Sequence, residues 1–336
     1  MTAKQAACPT PAKIMDYFWG IASTHVLVTA IELDLFSLIN DGNHTVASIV
    51  RVTGFSSRGL RMLLDALTGM QLLTKHRSEY SLTPDSEMFL VASSPSYLGS
   101  TIKQGGQAGK IWTSLTQMVR TDKPPVQIPQ EHFQKFLPQL ARALFPISYW
   151  AAQAFYATLS EEEQSAFENV LDVAAGSGAW SLPLAQRSRA VRVTAIDFAV
   201  VLKVAQEFAE RLGVADQYQM LPLNIREGSL GIDDYDLVIL GNICHSEGEQ
   251  NIKSLLEKSY RALRTGGRLL IADVVPNNER TGPLVPLLFA LNMLINTTNG
   301  DAFTFAQFSN WLRRTGFTRV KAIDAGTGSP LILAQK

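Results

Sequence analysis

Three places in this 336-residue chain hold residue types at spacings that chemistry could use. The first is Asp172-Val-Ala-Ala-Gly-Ser-Gly178, at the end of an apolar run and directly ahead of a helix-like stretch. Gly176 and Gly178 let the backbone turn tightly and come close to a ligand. The second is Asp197, which ends the next apolar run, 21 residues beyond Gly176. A carboxylate there suits two ribose hydroxyls, whether of NAD or of S-adenosylmethionine, and it equally suits a helix N-cap. The complete Gly-x-Gly-x-x-Gly fingerprint of dinucleotide folds is not met, because residue 181 is Ser and the extended pattern opens on Ala174. The third is His245, an acid–base group by type, placed just past the apolar run Asp236-Leu-Val-Ile-Leu240. Taken alone it also reads as a hydrogen-bonded histidine at a strand end. Cys8 and Cys244 lie too far apart in sequence for a disulfide framework or a zinc cluster, so no metal site is expected.

Ligands of open α/β sheets bind beyond the carboxyl ends of the strands, so the elements around these residues matter. From Val170 the pattern is one of buried strands alternating with helices. Val170–Ala174, Val191–Ile196, Asp236–Leu240 and Arg268–Ala272 are apolar runs of strand length, with helical stretches at Ala199–Leu212 and Gln250–Leu263. Arg319–Asp324 and Leu331–Leu333, around a Gly-rich turn, read as a terminal hairpin. This is an α/β fold with an open, mostly parallel sheet.

The first hundred residues read as a compact helical module. Val26, Ala30, Leu33 and Phe36 recur at helical spacing up to Asp41-Gly42, and Leu60, Leu63, Leu64 and Leu67 lie on a second helix capped by Ser56 or Ser57. Leu72–Leu82 reads as two short strands about a polar turn. Helix, turn, helix and hairpin is the order of a winged helix, but the helix in the recognition position offers only Arg58 and Arg61 against Asp65. Packing or dimerisation is the better use of such a module. The prolines of Thr121–Pro129 rule out a regular helix or central strand, and that stretch is expected to be a linker. Helices follow from Glu131 to about Ser160, with Phe133, Phe136, Phe145, Tyr149, Trp150, Phe155 and Tyr156 as core or as the wall of a substrate pocket.

Composition excludes several function classes. Thirty basic and thirty acidic side chains give a formal net charge of zero, and charged residues make up only 18% of the chain. The balance is also local: 7 basic against 8 acidic over residues 1–100, 6 against 6 over 101–170, and 17 against 16 beyond. No segment has the positive surplus that a nucleic-acid backbone or an anionic membrane attracts. The first residues lack the apolar core of a secretory signal. The longest apolar run, Leu284–Ile295, falls short of the roughly 20 residues needed to cross a bilayer. A cytoplasmic protein with neither nucleic-acid nor membrane partner is expected.

Leu171–Gly178, Ile196-Asp197, Asp236–His245 and Ala262-Leu-Arg-Thr-Gly-Gly-Arg-Leu-Leu-Ile-Ala-Asp273 stand in the order and spacing of class I S-adenosylmethionine-dependent methyltransferases. The chain resembles, more narrowly, the two-domain small-molecule O-methyltransferases, which include caffeic-acid and hydroxyneurosporene O-methyltransferases. Ala30–Phe36, Leu60–Leu67 and Arg120-Thr-Asp-Lys-Pro-Pro125 share the resemblance, which runs from about residue 12 to 334. It implies a Rossmann-like, seven-stranded methyltransferase domain behind a mainly α, winged-helix-like dimerisation domain. Expected bounds are 1–120 for dimerisation, 121–160 for the linker and pocket-wall helices, and 161–336 for the methyltransferase domain.

The same resemblance assigns roles. Asp172, Ala174, Gly176 and Gly178 form the loop under the methionine and ribose parts of S-adenosyl-L-methionine, and Asp197 is the ribose-binding acid. Asn224 and Ile225 lie against the adenine, where the family usually has Asp before an apolar residue. His245 is the general base and Asp273 the acid that orients it. Phe145, Tyr149, Asn292 and Asn296 are candidates for the substrate pocket. The family's His-Asp-Trp is here His245-Ser246-Glu247, a common basic residue is Gly241, and a Gly-x-Glu-x-Thr motif is Gly300-Asp-Ala302-Phe-Thr304. The expected activity is methylation of a hydroxyl on a small aromatic or polyketide-like metabolite by a homodimer joined through its N-terminal domain. C-methylation, non-methylating catalysis on the same scaffold, a DNA-binding regulator and an NAD-dependent oxidoreductase are the competing readings.

Overall fold

The structure is a computed structural model that describes residues 9–94, 96–122 and 130–336, with backbone alone at 104, 106–108, 110 and 130–135. Cys8, the proline-rich stretch 123–129 and the side chain of Phe133 lie outside the described residues. The chain divides into two compact units, Met1–Gly109 and Lys110–Lys336.

The first unit contains α1 (Ala12–Glu32), α2 (Leu35–Asn40), α3 (Val46–Thr53), α4 (Ser57–Gly69), β1 (Leu73–His76), β2 (Glu79–Leu82), α5 (Pro84–Leu90) and α6 (Gly99–Ala108). The expected single helix ending at Asp41-Gly42 is broken at Asp34, whose φ of 51° starts a new helix. Thr45 and Ser48 close a capping box on α3, and Ser56 rather than Ser57 caps α4 by accepting from the Gly59 amide. β1 and β2 pair antiparallel from Leu73↔Leu82 to His76↔Glu79, which is the expected wing. Leu35, Phe36, Ile39, Ile49, Leu60, Leu64, Leu67 and Tyr80 form the core. One expectation is corrected. The 21-residue α1 is long and apolar enough to cross a membrane by length and composition, and only 17% of that window is buried. Its exposed apolar residues, Ile14, Tyr17, Phe18, Trp19 and Ile21, are each more than half exposed. No unbroken apolar run marks it in the sequence, because Lys13, Asp16 and Ser23-Thr24-His25 interrupt the helix without making it polar.

The second unit opens with α7 (Leu115–Thr121), α8 (Gln130–Ala157) and α9 (Glu161–Ser165), the last capped by a Ser160–Glu163 box. The sheet and its helices follow: β3 (Asn169–Val173), α10 (Leu182–Arg187), β4 (Arg192–Asp197), α11 (Ala199–Arg211), β5 (Tyr218–Pro222), β6 (Tyr235–Gly241), α12 (Cys244–Ala262), β7 (Leu263–Ala272), α13 (Leu284–Asn296), α14 (Phe305–Thr315), β8 (Thr318–Ile323) and β9 (Leu331–Gln335). Seven strands run in the order β5-β4-β3-β6-β7-β9-β8. Pairing is parallel from β5 to β7, while β9 pairs antiparallel with both β7 and β8.

Both faces of this sheet are covered, which explains why its strands read as unbroken apolar runs. Val170, Leu237, Ile239 and Leu270 point into one core with Phe155, Tyr156 and Trp180. Leu171, Val173, Val238, Leu240 and Ile271 point into the other with Phe308 and Trp311. From β3 the chain builds outward through β4 to β5, then returns to lay β6 against the other side of β3. That reversal opens a crevice beyond the carboxyl ends of β3 and β6.

Candidate active site

The loop leaving β3 enters left-handed backbone three times, at Ala174 (φ 55°), Gly176 (φ 59°) and Gly178 (φ 74°). Glycine adopts this conformation without penalty, while Ala174 is held there against its preference. Asp197, at the end of β4, secures the loop: its Oδ2 accepts from the Gly176 amide at 2.9 Å and its Oδ1 from the Phe198 amide at 2.7 Å. Burial raises its pKa, against those two hydrogen bonds. Each carboxylate oxygen keeps a lone pair, the acceptor set that vicinal hydroxyls require.

Asp172 is turned inward. Its carboxylate is buried and accepts from Ser181 Oγ at 2.5 Å, and Ser181 Oγ lies 2.9 Å from the Tyr218 hydroxyl. Burial lifts the Asp172 pKa to about 7, opposed by the Ser181 hydrogen bond and reinforced by Asp197. Asp172 thus braces the glycine loop from within the sheet. Next along that loop, the Trp180 ring lies over Gly241, where an added Cβ would come within 2.3 Å of Trp180 Cδ1. The Trp180 Nε1 is buried and has no partner among the described residues.

After β5, Asn224 Oδ1 accepts from the Arg226 amide and Asn224 Nδ2 donates to Glu227, leaving the Oδ1 atom a further lone pair beside Ile225. Asn242 follows β6 with φ 55°, and its Nδ2 donates to Ser148 of α8 at 3.1 Å. Then α12 begins. Its N-cap, Ile243, has no side chain able to cap, and Asp273 from the end of β7 serves instead by accepting from the His245 amide at 3.0 Å. The other Asp273 oxygen lies 2.8 Å from His245 Nδ1 and also accepts from the Val274 amide. Burial raises the Asp273 pKa, but the His245 ring and these hydrogen bonds outweigh it, so the net shift is downward. An ionised carboxylate only accepts, so Nδ1 carries the hydrogen, and in the neutral ring Nε2 is the nitrogen with the lone pair. Phe289 of α13 packs edge-on to the imidazole with centroids 4.9 Å apart.

The pocket candidates separate. Asn292 lies one turn beyond Phe289 on the same face of α13, and Asn296 donates to both its carbonyl and its side-chain oxygen. Phe145 is not at a pocket wall: it is buried and stacked on Phe208 at 3.7 Å, with Tyr149 stacked behind it and bonded to Gln186. The α8 residue that reaches the β6 end is Ser148. Asp301, the candidate replacement for a second acid, is paired with Arg280 at 3.2 Å, and Ala302 is fully buried. Sequence reasoning missed Trp180, Asn242, Ser148 and Phe289, whose shared location comes from strand order rather than spacing.

An O-methyltransferase domain model matches residues 152–318, and an O-methyltransferase dimerisation domain model matches residues 15–92. A Nostoc punctiforme protein assigned to the O-methyltransferases is 31% identical, covers 98% of this chain and all of its own, and superposes with a TM-score of 0.87. The chain belongs to the O-methyltransferase family. The 3-hydroxy-5-methyl-1-naphthoate 3-O-methyltransferase of Streptomyces sahachiroi is 26% identical over 93% of this chain and 91% of its own length. Human N-acetylserotonin methyltransferase, solved with S-adenosylmethionine, shares the fold at a TM-score of 0.85 with 23% identity, over 100% of this chain and 99% of its own. This O-methyltransferase therefore depends on S-adenosylmethionine, and the left-handed glycine loop with the Asp197 acceptors fits that group.

Proposed function

We propose that this O-methyltransferase methylates a hydroxyl of a small, flat aromatic or polyketide-like metabolite, with His245 as general base and Asp273 as its orienting partner. The observation that carries this reading is the Asp273 carboxylate holding both the amide and Nδ1 of His245 at the carboxyl end of the sheet. S-adenosylmethionine, when bound, supplies an electrophilic methyl group on a sulfonium. Ala174, Gly176 and Gly178 would hold its methionine and ribose parts, Asp197 its ribose hydroxyls, and Asn224 with Ile225 its adenine.

The protein's own work is positioning and one proton transfer. The substrate O–H donates to His245 Nε2 and passes its proton there as the oxygen becomes nucleophilic. Asp273 keeps the ring in the productive tautomer and stabilises the imidazolium that forms. Phe289 shields one edge of the ring from water, and Asn292 offers an amide to a polar substituent. With Ala302 at one position and Asp301 engaged by Arg280, a single base serves the site, which suits a phenol or enol. The naphthoate named for the Streptomyces relative belongs to that class.

The dimerisation domain match and the exposed apolar faces of α1 support a homodimer formed through the first unit. For the base, His245→Ala is expected to lower kcat on the order of 10²–10⁴-fold while S-adenosylhomocysteine affinity stays within about threefold. Undiminished turnover in that variant would remove His245 from the role.

A further inference from the structure

The loop after β5 and the helix carrying His245 are fastened together twice. Arg226 sends Nε and Nη2 to the two oxygens of the Glu247 carboxylate, at 2.8 and 3.1 Å. About three turns further along α12, Lys258 Nζ donates to the carbonyls of Ile225 and Arg226, at 2.8 and 3.0 Å. The Glu247 side chain is 8% exposed, against 58% for Arg226, so the carboxylate is committed to this fork while the arginine reaches it from the surface. Breaking the fork would leave a nearly buried charge without its partner, which proteins avoid.

The placement of the fork gives it meaning. Arg226 directly follows Asn224 and Ile225, and Glu247 stands two residues after His245. Glu247 is followed by Gly248, whose φ of 74° interrupts the helix and whose added Cβ would lie 2.7 Å from Asn299 Cβ. Residues 244–247 therefore form a separate turn, held by Asp273 on one side and by Arg226 on the other. Loop and turn cannot shift independently without breaking one of these charge-assisted contacts.

We propose that Arg226, Glu247 and Lys258 are positioning residues that couple occupation of the adenine side of the cofactor site to the placement of the His245 ring. The proposal rests on the assignment of Asn224 and Ile225 to adenine and of His245 to proton transfer. A ligand that orders the 224–226 loop also orders the 244–247 turn, and by linkage a fixed turn improves adenine binding.

Adenosine, which has neither sulfonium nor amino-acid group, is the probe, and hydrogen exchange at residues 244–248 of the full chain is the readout. In the wild type, saturating adenosine is expected to slow exchange there about tenfold. In Glu247→Gln and Arg226→Gln that slowing disappears, adenosine binds several-fold more weakly, and kcat falls while the KM for the methyl acceptor is unchanged. The exchanged pair Arg226→Glu/Glu247→Arg recovers part of both effects, which a role confined to global stability would not produce. Lys258→Gln, which leaves the fork intact, shows the same trend more weakly. Slowing that persists in the single variants, or an exchanged pair no better than either, overturns the coupling alone. Adenosine that fails to bind the wild type, or that binds Asn224→Ala with undiminished affinity, overturns the assignment beneath it.

Discussion

At the scale of single residues, two carboxyl groups of the second unit have opposite electrostatic settings. Asp273 is held below the ordinary carboxylate range by the His245 ring and three hydrogen bonds, despite its burial. Asp172 is raised to about 7 because its burial outweighs the Ser181 hydrogen bond. The sign for Asp172 is clear: the folded state keeps a proton that the unfolded chain releases near pH 4. That contribution to stability is complete below about pH 4 and lost as pH rises through about 7, at up to roughly 1.4 kcal/mol per pH unit. Thermal unfolding of the ligand-free protein should therefore show Tm declining from pH 5 to 8. Asp172→Asn should flatten most of that slope, with Asp197, also raised by burial, retaining the rest. An unchanged slope would mean that Asp172 is ionised in the folded protein. The types of these residues were legible in the sequence. Their directions were not: Asp172 looked like a ligand residue and instead faces Ser181, and Phe145 looked like a pocket wall and instead stacks in the core.

At the scale of elements, the buried strands could be read because a strand covered on both faces is apolar throughout. β5 escaped that reading. Tyr218-Gln-Met-Leu-Pro222 is an edge strand with no fully buried position, so neither an apolar run nor strict alternation marks it. The start of α12 escaped for another reason, since Gly248 breaks the helical period four residues before the apolar stripe resumes at Ile252. Packing across the crevice has its own test. An alanine at 241 would place its Cβ 2.3 Å from Trp180 Cδ1 and within 3 Å of Nε1, so the indole must move. Gly241→Ala should cost about 1–3 kcal/mol, read from denaturant unfolding, and alter tryptophan emission. Trp180→Phe in that background should return part of the loss. Wild-type stability in Gly241→Ala would show that the ring is free to leave its seat.

At the scale of the whole molecule, zero net charge was legible from composition, whereas the apolar surface of α1 was not. A helix apolar on all sides is stable in water only when something covers it. The dimerisation domain match over residues 15–92 makes a second copy the natural cover, and a stable interface needs on the order of 800 Å² from each partner. Sedimentation at micromolar concentration should show a dimer for the wild type and a folded monomer for Phe18→Asp/Trp19→Asp. A monomeric wild type would end that reading.

Asp273 has one further consequence, and it concerns the order of assembly. The first turn of α12 has no cap within its own sequence and takes one from a residue 28 positions further along the chain. Until β7 is laid beside β6, that turn lacks an acceptor and the imidazole lacks its partner. On the proposed reading the proton-accepting group is completed only when the parallel sheet closes, and a partly folded chain with β7 unpaired is expected to turn nothing over. Recovery of turnover after dilution from denaturant should lag behind the return of helical signal, by the time β7 takes to pair.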